Sequence, residues 1–113
     1  MRRMFFRFAP ASIIICLAIP LLSSGLRAQG DVAKIYKTNC VLCHAANGSG
    51  DAPSGKALKA KDLRSPEVQG KSDAELAGVI ATGMGKMPAF GKKLSADVIK
   101  SLVAYIRELP KQK

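Results

Sequence analysis

Three features of the 113-residue sequence predict a small, all-α, loop-rich domain behind an export leader. Apolar residues recur at helical spacing in three stretches, each opened by a side chain able to cap a helix. Between them lie segments too rich in Gly, Pro, Asn and Ser for regular structure. No segment alternates apolar and polar residues for long enough to make a strand. About three to four helices joined by long loops are expected.

The chain opens with Met1-Arg2-Arg3-Met4-Phe5-Phe6-Arg7, continues as an apolar run from Phe8 to Leu22, and leaves through Ser23-Ser24-Gly25-Leu26-Arg27-Ala28. A basic start, an apolar centre and a small-residue exit describe a signal peptide of residues 1–28, cut after Ala28, ahead of one domain over residues 29–113. The competing reading is an uncleaved membrane anchor, since no charge falls between Phe8 and Leu26. Pro10 and Pro20 shorten its good helical stretch. Cys16 is treated as an apolar residue of this leader. Arg2, Arg3, Arg7 and Arg27 leave with it, so the net charge falls from +10 to +6. No later segment has the roughly 18 consecutive apolar residues of a membrane helix, so no stable span is expected after cleavage. Either way the domain faces an exported, oxidising compartment, such as a periplasm.

The first helix is expected from Asp31, as cap, to Asn39, with Val32, Ile35 and Tyr36 apolar. Asn47 to Gly55 is turn chemistry throughout, and Pro66 and Gly70 mark further loop. Ser72-Asp73-Ala74-Glu75 matches a capping box ahead of Leu76, Val79 and Ile80, and Gly83 ends that helix. Thr82 to Gly91 is a second Gly- and Pro-rich loop. The closing helix starts at Ser95 and carries a stripe of Val98, Leu102, Tyr105, Ile106 and Leu109 before Pro110.

Tyr36, Phe90 and Tyr105 are the aromatic residues left beyond the leader, and Trp is absent. Small domains bury a low fraction of their surface, and this one lacks bulky side chains besides. A staple or a bound group is expected to fill its centre.

Cys40-Val41-Leu42-Cys43-His44 supplies one. C-x-x-C-H is the attachment signature of c-type haem. Two thiols on one helical turn bond to the two vinyl groups of the porphyrin, and the adjacent imidazole becomes an axial iron ligand. Burying several hundred Å² of macrocycle at about 25 cal/mol per Å² contributes several kcal/mol. A thioredoxin-like redox pair needs a βαβ pattern that is absent here. Structural zinc needs four ligands, and only Cys40, Cys43 and His44 are soft candidates beyond the leader.

Iron with a second axial ligand requires one more donor, and a His/Met pair is the arrangement of electron-carrying c-type cytochromes. Met84 and Met87 are the methionines beyond the leader. Met87 precedes Pro88, which biases its backbone away from helix and steadies the loop that would hold the sulfur over iron. Met84 stands among glycines. Met87 is the favoured ligand and Met84 the alternative.

These motifs together resemble the class I cytochrome c family, in its small bacterial monohaem form. The resemblance runs through Tyr36, Cys40 to His44, Asn47-Gly48-Ser49-Gly50-Asp51, Gly85-Lys86-Met87-Pro88-Ala89-Phe90 and Leu102-Val103-Ala104-Tyr105-Ile106-Arg107. It implies a cytochrome c fold wrapped around one covalently attached haem, with the first and last helices crossing near Tyr36 and Tyr105. It also implies that a loop proline, matched by Pro53, accepts a hydrogen bond from the unligated nitrogen of His44. Val32 and Ala45 stand where the family often has glycine.

The expected function is a soluble, exported, non-enzymatic electron carrier with haem c on Cys40 and Cys43 and iron held by His44 and Met87. Lys56, Lys59, Lys61, Lys86, Lys92 and Lys93 lie in the loops expected to frame the haem edge and suit acidic docking surfaces on redox protein partners. Export argues against nucleic acid, and filled axial positions against a small-molecule substrate. One alternative is the electron-accepting subunit of a dehydrogenase or oxidase complex. Another is a haem peroxidase or sensor with an open iron site, for which the chain offers no second His.

Overall fold

The computed structural model describes the backbone of residues 24–112 and the side chains from Asp31 onward; residues 1–23 of the expected leader, Cys16 included, lie outside the described residues. Among the described residues there are six α-helices and no strand beyond an isolated bridge, so the all-α class holds. The three longer helices, α1 (Ser24–Asn39), α5 (Asp73–Thr82) and α6 (Ala96–Glu108), are the three that the apolar spacing predicts. Three short helices sit between them: α2 (Val41–His44), α3 (Pro53–Leu58) and α4 (Pro66–Gln69).

Local chemistry accounts for the boundaries. The capping box of α5 forms as expected: Ser72 Oγ accepts from the Glu75 amide at 3.1 Å, and Glu75 Oε2 accepts from the Ser72 amide at 2.7 Å. Ser95 caps α6 by accepting from the Val98 amide at 3.2 Å. Asp31, by contrast, is an exposed residue within α1 and not its cap. Arg27, Ala28 and Gln29 are good helix formers, and the helix extends back through them despite Gly30. Residues read as loop at Pro53 and Pro66 begin helices because proline suits the first helical position, where its missing N–H costs nothing. For α4 the preceding Ser65 hydroxyl also accepts from the Val68 amide.

Helix α6 packs against both α1 and α5, and the core forms along these contacts. Val32 and Tyr36 come from α1, Val68 from α4, Leu76 and Ile80 from α5, and Ile99, Leu102, Val103 and Ile106 from α6, with Leu109 just beyond it. Truncating a fully buried leucine such as Leu102 would cost about 2–5 kcal/mol. Tyr36 and Tyr105 meet across the α1–α6 contact with ring centroids 5.0 Å apart and planes tilted by 43°, the neighbourhood the family resemblance implies.

Arg107 locks the segment between α4 and α5 onto α6. Its guanidinium reaches Asp73 Oδ1 at 2.8 and 3.0 Å, the Gln69 carbonyl at 2.8 Å, and the Lys71 carbonyl. Arg64 grips both oxygens of Asp62 at 3.0 and 3.1 Å. These are the two arginines beyond residue 28, in a region otherwise using lysine. Both occupy places where a planar fork, and not a point charge, fits the acceptors.

Candidate functional site

The site is assembled around the junction of α1 and α2. Asn39 ends α1, and the chain continues into the Cys40–His44 turn without leaving helical hydrogen bonding: the Cys40 amide donates to Tyr36 at 2.8 Å and the His44 amide to Cys40 at 2.9 Å. Cys40, Cys43 and His44 therefore project from one turn, each half-buried. Both cysteines are free thiols. Burial pushes the Cys40 thiol up to about 11, unlike the low-pKa setting of a redox-active cysteine. Among the described residues no group of three or more His, Cys, Asp and Glu is arranged to hold a metal ion.

The turn is held from two sides. Helix α3 crosses so close that a Cβ on Gly55 would overlap the Cys43 carbonyl oxygen and approach the Gly50 oxygen within 2.6 Å; the position accepts glycine alone. On the other side the Tyr36 hydroxyl donates to the Ala45 carbonyl at 2.9 Å. Burial first, then the neighbouring Cys40 and Tyr105, push that hydroxyl well above its ordinary 10.0, so it stays protonated and donates. Ala45, the residue in place of the frequent glycine, has φ +63 and ψ 164, a region that side chains disfavour.

His44 Nδ1 lies 3.0 Å from the carbonyl oxygen of Lys61. Paired with a carbonyl, Nδ1 carries the proton and Nε2 is left with its lone pair available for a metal. This corrects the expectation for Pro53, which is the exposed first residue of α3. The segment after α3 supplies the acceptor instead. A backbone carbonyl carries no residue-type signature, so Lys61 could be singled out in the sequence only as a surface charge.

The methionine loop leaves α5 at Gly83, whose φ of +77 and the 2.7 Å approach its Cβ would make to the Met87 carbonyl both demand glycine. Met84 and Met87 pair across a tight turn through Gly85-Lys86, and the chain is then tied back to α5 by the Phe90 and Gly91 amides, each 2.9 Å from the Ile80 and Ala81 carbonyls. Met87 is half-buried and packs on the core, whereas Met84 is 63% exposed. Lys93 Nζ donates to Asn39 Oδ1 at 2.7 Å, linking the end of this loop to the residue before Cys40.

The chemistry present fits a covalently held porphyrin. Cys40, Val41, Leu63, Met87, Phe90 and Leu94 are all apolar or soft, come from three segments of the chain, and pack on the core while retaining accessible surface. Lys56, Lys59, Lys61, Lys86, Lys92 and Lys93 are exposed as expected. Lys61 is partly engaged, with Glu67 at 3.0 Å, and Lys93 with Asn39. Among the described residues no helix is long and apolar enough to cross a membrane.

The family described as cytochrome c oxidase, cbb3-type, subunit III matches residues 27–106. Cytochrome c6 of Microcystis aeruginosa is 38% identical over 77 residues, covering 67% of this chain and 90% of that protein. The cbb3-type cytochrome c oxidase subunit FixP of Azorhizobium caulinodans is 35% identical over 78 residues, 68% of this chain but 26% of that protein. The solved structure of the KustC0563 c-type cytochrome superposes with a TM-score of 0.63 at 29% identity, covering 68% of this chain and 94% of its own.

Proposed function

This chain belongs to the cytochrome c family matched by the cbb3-type subunit III profile, and on that premise we propose that Cys40 and Cys43 carry the thioether bonds to its haem c and that His44 and Met87 hold the iron. Electron transfer by covalently bound haem is the activity of the family; bound here, the haem supplies an iron that exchanges one electron. The chain's own residues hold that exchange in place. Lys61 orients His44 through Nδ1, the Tyr36–Ala45 bond and Gly55 keep the attachment turn packed, and Gly83 and the backbone ties to Ile80 and Ala81 hold Met87 against the core. The observation that carries the ligand assignment is the contrast between half-buried Met87 and solvent-facing Met84 in one turn. A thioether and an imidazole on iron favour the ferrous state and leave no position for a substrate, so the protein acts as a carrier and not as an enzyme.

Exposed Lys56, Lys59, Lys86 and Lys92 take part in none of the ion pairs among the described residues. They suit partners with acidic docking surfaces and predict encounter rates that fall with salt. The leader at residues 1–28 supports an exported location for the domain at residues 29–113. A second reading, as the electron-accepting part of an oxidase, is favoured by the family match and by the FixP relative. Reduced-minus-oxidised spectra with a pyridine haemochrome assay on protein from a host competent in cytochrome maturation test the haem assignment: one thioether-linked haem per chain supports it, and a colourless chain refutes it. Isolation from the native cell separates the two settings, since a free carrier elutes alone and a subunit with its oxidase.

A further inference from the structure

Met84 and Met87 exchange both backbone hydrogen bonds, the Met84 amide donating to the Met87 carbonyl at 3.2 Å and the Met87 amide to the Met84 carbonyl at 2.9 Å. Residues paired in this way send their side chains to the same face of the ribbon, with Cα atoms about 5.5 Å apart. Two methionines therefore leave the same face of one turn, one half-buried and one 63% exposed. The residues flanking Met84 are Gly83 and Gly85, which have no side chains to shield it. A methionine is ordinarily a filler of core gaps. Met84, 63% exposed, is neither a core residue nor one of the partly buried residues packed against the core, so gap-filling does not account for it.

Oxidation of a thioether by peroxide transfers one oxygen atom to sulfur: the S–O bond forms, the O–O bond breaks, and the displaced oxygen leaves as water. The product is a polar sulfoxide, and the rate rises with accessibility of the sulfur. At Met87 this would remove the soft donor on which the iron site depends. At Met84 it alters a side chain that already faces water. Resting on the reading of Met87 as an iron ligand, we propose that Met84 is a sacrificial oxidation site, taking up peroxide oxygen that would otherwise reach Met87. Its product is the substrate class of thiol-dependent methionine sulfoxide reductases, which would restore it.

The sequence makes the test direct, because trypsin cuts after Lys71, Lys86 and Lys92 and so places the two sulfurs on separate peptides, 72–86 and 87–92. The holoprotein is treated with hydrogen peroxide below one equivalent per chain, so that the two sulfurs compete for it, and the peptides are weighed. The 72–86 peptide is expected to gain one oxygen roughly tenfold faster than 87–92, with the haem spectrum unchanged. Equal uptake, or faster uptake by 87–92, overturns the proposal. In Met84→Leu, which keeps the bulk and removes the sulfur, the oxygen found on 87–92 once the peroxide is consumed is expected to rise several-fold; an unchanged final uptake also overturns it. The spectrum of untreated Met87→Ala tests the ligand assignment separately, so failure of that assignment is distinguishable from failure of the guard.

Discussion

The hydroxyl of Tyr36 donates to the carbonyl of Ala45 at 2.9 Å, joining the core face of α1 to the residue that follows His44. The bond spans the attachment turn and closes it from the inside. It also anchors a backbone conformation, φ +63 and ψ 164, that alanine adopts only at a cost. Tyr36→Phe is expected to destabilise the holoprotein by about 1 kcal/mol through the lost hydrogen bond. Ala45→Gly is expected to stabilise it by about 1 kcal/mol or more, by relieving that backbone. Thermal unfolding of both variants checks the pair, and a shift of the same sign in both would refute it.

Met87→Ala is expected to open the sixth iron position and lower the reduction potential, while Met84→Ala leaves the potential near that of the parent. Spectroelectrochemical titration reads both. The opposite pattern would transfer the ligand role to Met84.

Gly55→Ala is expected to disrupt the packing of α3 on α2, since the added methyl meets two backbone oxygens and neither can yield as a side-chain tip would. Overpacking of this kind costs typically about 1–3 kcal/mol. The measurement is the yield of haem-loaded protein and its melting temperature, and Gly78→Ala, where nothing lies within 4 Å, is the control.

Two carboxylates set the acid limit. Hydrogen bonds from the Arg64 side chain hold Asp62 below its ordinary 3.8, and the Ser72 amide holds Glu75 below its ordinary 4.5. A carboxyl whose folded value is depressed binds its proton more readily when unfolded. Its contribution is therefore present above the ordinary value and is lost as the pH falls through the folded one. Stability is expected to decline as the pH falls below about 4, modestly because both groups are exposed. Arg64→Lys, which loses the fork, is expected to be slightly less stable near neutral pH and to show a smaller decline on acidification, read from melting temperatures across a pH series followed by circular dichroism.

Much of the architecture could be read from residue types. Ser72 with Glu75, Ser95, and the stripe from Val98 to Leu109 are local signals, and the helices they predict are present. The C-x-x-C-H turn and the Met-Pro loop are likewise local signals, and the residues proposed to hold the haem come from them. Three things were hidden for physical reasons. The Ser65-Pro66 pair reads equally as a turn or as a helix start, and its hydrogen bond to Val68 decides for the helix. The acceptor for His44 is a main-chain oxygen at Lys61, which every residue possesses. Arg107 finds its partners at Gln69, Lys71 and Asp73, far away along the chain. Two arginines among many lysines were a usable hint that forked recognition was needed somewhere.

The packing of α1 on α6 has a bearing on biogenesis. The cysteine-bearing turn hangs from the end of α1, and the helix that clamps α1 follows every other described α-helix in the order of synthesis. Before α6 docks, α1 lacks the helix that packs on it, and both thiols are expected to be more accessible than in the finished fold. Attachment before α6 docks would meet thiols freer than the half-buried ones of the finished fold, and docking afterwards would close the fold over the bond.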